Sequence, residues 1–248
     1  MLADTHLSAD AAAQYEGIRT AAAAERTVQQ LKGRGIEGTI INGDIAWMRG
    51  LPEDYAAAEA LLGALADHGP LITLPGNHDN RANLCSAFSD PHMDHGAAKV
   101  MTVVDAGVVR LVCLDSLRPK EVVSGRLERP QLTWLADWLA AHADKPVVLF
   151  VHHPLDDAEN GLLDAPELLD LAEGRPQVKA IFTAHDHVFS HRNENGLLVV
   201  TQPAVGFPFE PNVMHGWLEA EFTPRGVSLT PWSSSQGPQN VVRLTWSR

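Results

Sequence analysis

Leu71-Ile72-Thr73-Leu74-Pro75-Gly76-Asn77-His78-Asp79 reads as a short buried strand that ends in reactive side chains. Leu71 to Leu74 are apolar or β-branched, which fits a strand inside a core. Pro75 cannot donate to a ladder and Gly76 permits a sharp turn, so the strand stops there. The amide of Asn77, the imidazole of His78 and the carboxylate of Asp79 then stand at its C-terminal end. In open α/β sheets that edge is where sites are built. An amide oxygen can ligate a hard cation, and an imidazole exchanges a proton near neutral pH.

Four further apolar runs end the same way. Leu2-Ala3 leads into Asp4-Thr5-His6, and Thr39-Ile40-Ile41-Asn42 into Gly43-Asp44. Val147-Val148-Leu149-Phe150-Val151 leads into His152-His153-Pro154, and Lys179-Ala180-Ile181-Phe182-Thr183-Ala184 into His185-Asp186-His187. A lone Asp or His at a strand end is more often structural. The ordered set D-x-H, G-D, G-N-H-D, H-H-P and H-x-H, each closing a strand pattern, resembles the calcineurin-like metallophosphoesterases from Asp4 to about Phe209.

The resemblance implies an α/β fold, two packed mixed β-sheets flanked by helices in an α/β/β/α sandwich, with metals at one edge. It implies two divalent or trivalent ions, iron, manganese or zinc, bridged by Asp44. Asp4, His6 and His187 would complete one metal, and Asn77, His152 and His185 the other. A water between two such cations loses a proton near neutral pH, and the bridging hydroxide is the expected nucleophile on phosphorus. His78 is then the expected proton donor or phosphate clamp, with Asp79 orienting its imidazole. His153 should face away from its neighbour His152 and pack. His92 and His95, in the loop from Asp90 to Gly96, are further candidates for substrate contact, and Trp47 for stacking on a base or filling space. Trp134 and Trp138, at helical spacing, read as packing residues.

Within the superfamily the chain is similar to the bacterial cyclic-nucleotide phosphodiesterase branch. The signals are Gly76-Asn77-His78-Asp79, Leu114-Asp115-Ser116, the run from Gly125 to Leu135, and His152-His153-Pro154. Trp47 stands where that branch often has an acidic residue, and Ala184 where it has glycine. The expectation is a phosphodiesterase of small phosphate esters such as cyclic nucleotides. The alternatives are a phosphomonoesterase on the same site and an inactive metal-stabilised scaffold.

The bulk numbers narrow the partners. The 248 residues fit one large α/β domain, 1–248, with a core that needs no staples. Nineteen basic residues against 31 acidic ones give a net charge of −12. That argues against nucleic acid or an anionic membrane, both of which need a basic footprint. Cys85 and Cys113 form no disulfide framework, and Cys113 reads as a buried free thiol. No run is long enough to span a bilayer. No secretory leader is visible, which points to the cytoplasm. Only Met1-Leu2-Ala3 precede the first motif, whereas the resemblance implies a longer strand there.

The remaining elements follow from pattern. Alanine-rich Ala11 to Lys32 reads as a helix closed by Gly33 and Gly35, and Pro52 to Asp67 as a second. Arg81 to Ser89 and Pro130 to Ala143 are also helical. Asp164 is placed to cap a helix running to Ala172. Val100–Val104 with Val108–Leu114, Val188–Arg192 with Leu197–Gln202, and Trp217–Phe222 with Val227–Thr230 read as hairpins. A last strand is expected over Val241 to Trp246.

Overall fold

A computed structural model of the chain describes residues 1–88, 93–94, 99–119, 122–156 and 159–247. His92 and His95 lie outside the described residues. One sheet has seven strands in the order Ser190–Glu194, Leu197–Thr201, Val178–Thr183, Val147–Val151, Val109–Leu114, Met101–Ala106 and Met93–Asp94. Its middle is parallel and its margins are antiparallel. The central strands alternate strictly. Val148 and Phe150 face one core, while Val147, Leu149 and Val151 face another. Both faces are covered, so Val147–Val151 reads as an unbroken apolar run.

The second sheet is assembled around residues 1–3. Thr39–Asn42 pairs in parallel with Leu71–Leu74, and Leu2 bridges to Ile41 on the other side. Met1 exchanges backbone hydrogen bonds of 2.7 and 3.0 Å with Leu218. Leu218 belongs to Gly216–Thr223, which pairs with Gly226–Ser233 and, beyond it, Val242–Thr245. The short leading strand therefore stitches the front of the chain to its last hairpin.

Three apolar clusters correspond to the three seams of an α/β/β/α sandwich. Ile72, Leu74, Phe150, Phe182, Leu218 and Leu229 fill the seam between the sheets. Helices Thr20–Leu31 and Pro52–Leu62 cover the outer face of the second sheet. The former buries Thr20, Ala23, Ala24, Thr27 and Leu31, one stripe at helical spacing. Helices Glu128–Ala141 and Ala165–Glu173 cover the seven-stranded sheet with Leu135, Leu139 and Leu168. Trp134 and Trp138 pack against that cluster from its margin. Cys113 is buried and Cys85 half-buried, and neither is in a disulfide. No helix among the described residues is long and apolar enough to cross a membrane.

Two expectations are corrected. The first helix begins at Thr20, not near Ala11. Gln14–Tyr15 and Ile18–Arg19 instead pair around Glu16 and Gly17, whose φ values of 46° and 84° turn the chain back. Alanine content favours a helix there, but two successive left-handed residues cannot continue one. Asp164 does not cap its own helix. Its carboxylate accepts from the backbone N–H groups of Leu127 and Glu128 at 3.0 and 2.9 Å, and so caps the start of the Glu128–Ala141 helix.

Candidate metal centre

The five motif turns converge where the two sheets meet at their C-terminal edge. The Asp4-Thr5-His6 turn lies beside Gly43-Asp44. Asp4 N donates to Gly43 O and His6 N to Asp44 O, both at 3.0 Å. The Ala184 N–H donates to His152 O at 2.8 Å, which aligns the other pair of turns. Asp4, His6, Asp44, His185 and His187 all have positive φ, between 44° and 71°. Non-glycine residues pay for that conformation in backbone strain, and strain of this kind concentrates at functional sites.

Two groups of side chains result. One oxygen of Asp4 and one ring nitrogen each of His6 and His187 lie within 4.8 Å of one another, as do atoms of Asp44, His152 and His185. Asp44 Oδ2 faces both groups, 3.9 Å from His6 Nε2 and 3.4 Å from His152 Nε2. Asp4 Oδ1 is 3.4 Å from His187 Nε2 and 3.9 Å from His152 Nε2.

The imidazole tautomers follow from their outer partners. His6 Nδ1 donates to Trp47 O (3.2 Å), His152 Nδ1 to Asn42 O (2.9 Å) and His187 Nδ1 to Phe207 O (2.6 Å). Carbonyl oxygens only accept, so each Nδ1 carries hydrogen and each Nε2 is turned inward. His6 Nε2 and His187 Nε2 then face each other at 3.4 Å. Two ring nitrogens so placed need a proton or a cation between them. Asp4 Oδ1, Asn77 Oδ1 and His152 Nε2 are buried without a hydrogen-bond partner. Buried polar atoms are normally paired, so orphans such as Asp4 Oδ1 and His152 Nε2, one in each ligand group, fit a pair of metal ions.

Burial holds the His6 and His185 imidazoles down to about 4, so both are neutral donors at pH 7. Burial also works against charge on His152, but the Asp44 carboxylate outweighs it and carries that ring up to about 10. Asp44 itself is held well below the usual carboxylate range: burial opposes its ionisation, and His152 overcomes it.

Gly43 and Gly76 make the close approach possible. A Cβ on Gly43 would run into the His152 ring, and one on Gly76 into the Asp44 carboxylate.

His78 lies outside both groups and lines the cleft above them. Its backbone N–H donates to Asp44 Oδ1 at 2.8 Å, and its Nδ1 bonds to Met48 O at 3.1 Å. The expected role of Asp79 is corrected here. Its carboxylate does not orient the His78 imidazole, which Met48 holds. It accepts instead from the N–H groups of Ile45, Ala46 and Gly76 and from Tyr55 Oη. Asp79 thus ties the Gly43-Asp44 turn to its own. His153 is buried with both ring nitrogens bonded, Nδ1 to Ser116 Oγ and Nε2 to Val123 O, and it packs on His185.

The cleft has a volume of about 200 Å³ and is lined by Tyr15, Met48, Phe207 and Phe209 beside His6, Asp44, His78, His185 and His187. The sequence reading missed these aromatic walls. Trp47 is absent from them; its ring meets His6 edge-on at 6.4 Å. Only the run Gly206-Phe207-Pro208-Phe209, straight after an apolar segment, hinted at them.

Comparison with known proteins is consistent with this geometry. The family model described as calcineurin-like phosphoesterase matches residues 1–189. The chain is 29% identical over 213 residues to the glycerophosphodiester phosphodiesterase GpdQ of Enterobacter lignolyticus, covering 82% of this chain and 75% of that one. It is 29% identical over 218 residues to the 3',5'-cyclic adenosine monophosphate phosphodiesterase CpdA of Pseudomonas aeruginosa, covering 85% and 76%. In structure it resembles a dimetal phosphatase from Danio rerio, with a TM-score of 0.77 at 17% identity over 99% of this chain and 98% of that one. At that identity the likeness shows the fold alone.

Proposed function

Because the chain belongs to the calcineurin-like phosphoesterase family, we propose that it hydrolyses small phosphodiesters, cyclic nucleotides among them, on a dinuclear metal centre. The observation that carries this reading is the gathering of Asp4, His6 and His187, and of Asp44, His152 and His185, into two tight groups in which Asp4 Oδ1 and His152 Nε2 are buried without a hydrogen-bond partner. Asp44, whose Oδ2 faces nitrogens of both groups, would be shared between the two ions. Asp4, His6 and His187 would hold one ion; Asn77, His152 and His185 would hold the other. Mixed imidazole and oxygen donors suit manganese, iron or zinc. When bound, the ions supply Lewis acidity to the phosphate oxygens and lower the pKa of a water for in-line attack.

The protein's own residues do the rest. The carbonyls of Asn42, Trp47 and Phe207 fix the rings so that no reorganisation is needed when substrate arrives. His78 stands at the cleft wall with Nδ1–H committed to Met48 O, so that in its doubly protonated form the Nε2–H would be left to deliver a proton to the leaving oxygen. No Lys or Arg lines the cleft among the described residues. A diester brings one negative charge there and a monoester up to two, which favours the diester. Residues 1–248 are read as one domain, supported by the pairing of Met1 with Leu218.

The test is a panel of bis-p-nitrophenyl phosphate, p-nitrophenyl phosphate and cyclic AMP with manganese-reconstituted protein, alongside elemental analysis. Near two ions per chain and faster turnover of the diesters are expected. A monoester preference, or full activity with one ion, overturns the reading.

A further inference from the structure

We propose that Tyr15 and Phe209 form an aromatic clamp that sets substrate choice by stacking on a planar ring, a nucleobase, in one ester group of the diester. The inference rests on the phosphodiesterase reading above and goes beyond it in naming the residues that select the ester group.

Phe209 stacks on His187 with ring centroids 3.9 Å apart and planes 10° from parallel, yet it is 49% exposed. Packing alone does not explain a phenyl ring held flat against one imidazole while half of it stays exposed. Tyr15 stacks on Phe207 at 4.1 Å, and Phe207 in turn on His6 at 4.9 Å. Tyr15 is carried by the two-stranded Gln14–Tyr15/Ile18–Arg19 ribbon, which belongs to neither large sheet. Met48, 36% exposed, lines the same cleft and adds an adaptable apolar surface.

The wall therefore offers ring faces and a thioether within a cleft of about 200 Å³ that opens on both candidate metal groups. Such a surface does little for a polyol group, whose hydroxyls need several hydrogen-bond partners. A nucleobase has a π-face that any aromatic ring can take, and stacking of this kind is sequence-tolerant. Purines and pyrimidines should both bind.

Two diesters with the same leaving group isolate the clamp: thymidine 5'-(p-nitrophenyl phosphate) and ethyl p-nitrophenyl phosphate. Phe209→Ala should lower kcat/KM on the thymidine ester by about tenfold more than on the ethyl ester, mainly through KM. Phe209→Trp should restore the ratio. Metal content is measured for every variant, because Phe209 touches His187. If Phe209→Ala loses an ion, Tyr15→Ala, which touches no ligand ring, carries the comparison. Calorimetric binding of thymidine 5'-monophosphate to the metal-loaded protein gives a readout free of turnover, and it should weaken about tenfold in either alanine variant. Equal losses on both esters, or unchanged nucleotide binding, overturn the clamp. Weakened nucleotide binding in a protein that hydrolyses neither diester leaves the clamp standing and overturns the phosphodiesterase reading instead.

Discussion

His152 shows how much of this site is decided by single side chains. Burial disfavours its imidazolium, but Asp44 at 3.4 Å raises its pKa from 6.5 to about 10. The metal-free protein therefore holds a proton where a cation's ligand must be bare, and loading must expel it. The folded-state pKa is raised, so this stabilisation is fully present below pH 6.5 and is lost as the pH climbs through 10. Calorimetric metal titration at pH 7.5 in buffers of different ionisation heat should report release of about one proton per chain; release of none would remove His152 from the ligand set. His78 separates from the ligands by its leaving-group dependence. His78→Ala should keep both ions yet lose roughly 10²–10⁴-fold in rate on cyclic AMP, whose ribose oxygen needs a proton. Nitrophenyl esters should suffer far less, since nitrophenolate leaves unprotonated. Equal loss on both would make His78 a phosphate clamp. Residue types and order made the ligand candidates legible in the sequence. The role of Asp79 was not, because its partners Ile45, Ala46 and Tyr55 are 34, 33 and 24 residues away.

Among the elements, the strands were the most readable part of the chain. Val147–Val151 is a continuous apolar run, and Val178–Thr183 is apolar from Ala180 to Phe182, because helices and the second sheet cover both faces. Elements governed by local backbone conformation or by distant partners were less readable. The ribbon at Gln14–Arg19 depends on positive φ at Glu16 and Gly17, which alanine content obscures. The cap that Asp164 gives to Leu127 and Glu128 spans 37 and 36 residues, and its own adjacent helix was the obvious local candidate. The turns after the strands are where substitution should be least tolerated. Gly76→Ala would thrust a methyl group at Asp44 and His152. It should reduce bound metal to less than one ion per chain, while circular dichroism still shows the native secondary structure. Asp79→Asn keeps the shape but exchanges one acceptor oxygen for a donor facing backbone N–H groups. It should cost roughly 1–3 kcal/mol in urea unfolding. A variant as stable as the parent would show that the two turns are held together by other means.

At the scale of the whole molecule, both sheets contribute to the proposed metal shell. Asp4, His6, Asp44 and Asn77 follow strands of one sheet, and His152, His185 and His187 follow strands of the other. Metal binding should therefore act as a staple between layers, as well as a catalytic device. A ligand that binds only the folded chain stabilises it by about 4 kcal/mol at a thousandfold excess over Kd. For a chain of this length that corresponds to a rise in Tm on the order of 10 °C. Chelation should reverse it, and hydrogen exchange should show the loss of protection concentrated at the facing strand ends around Asn42, Leu74, Val151 and Thr183 rather than in the outer helices. Asp44→Asn provides the internal check. It removes the charge that faces both groups while leaving the sandwich core untouched, so added manganese should no longer raise Tm by more than a degree or two. If Asp44→Asn keeps the full metal-dependent rise, the ions do not share this carboxylate. If chelation leaves the parent protein's Tm unchanged, the two layers are held by their apolar seam alone, and the staple is wrong even if the enzyme needs metal to turn over.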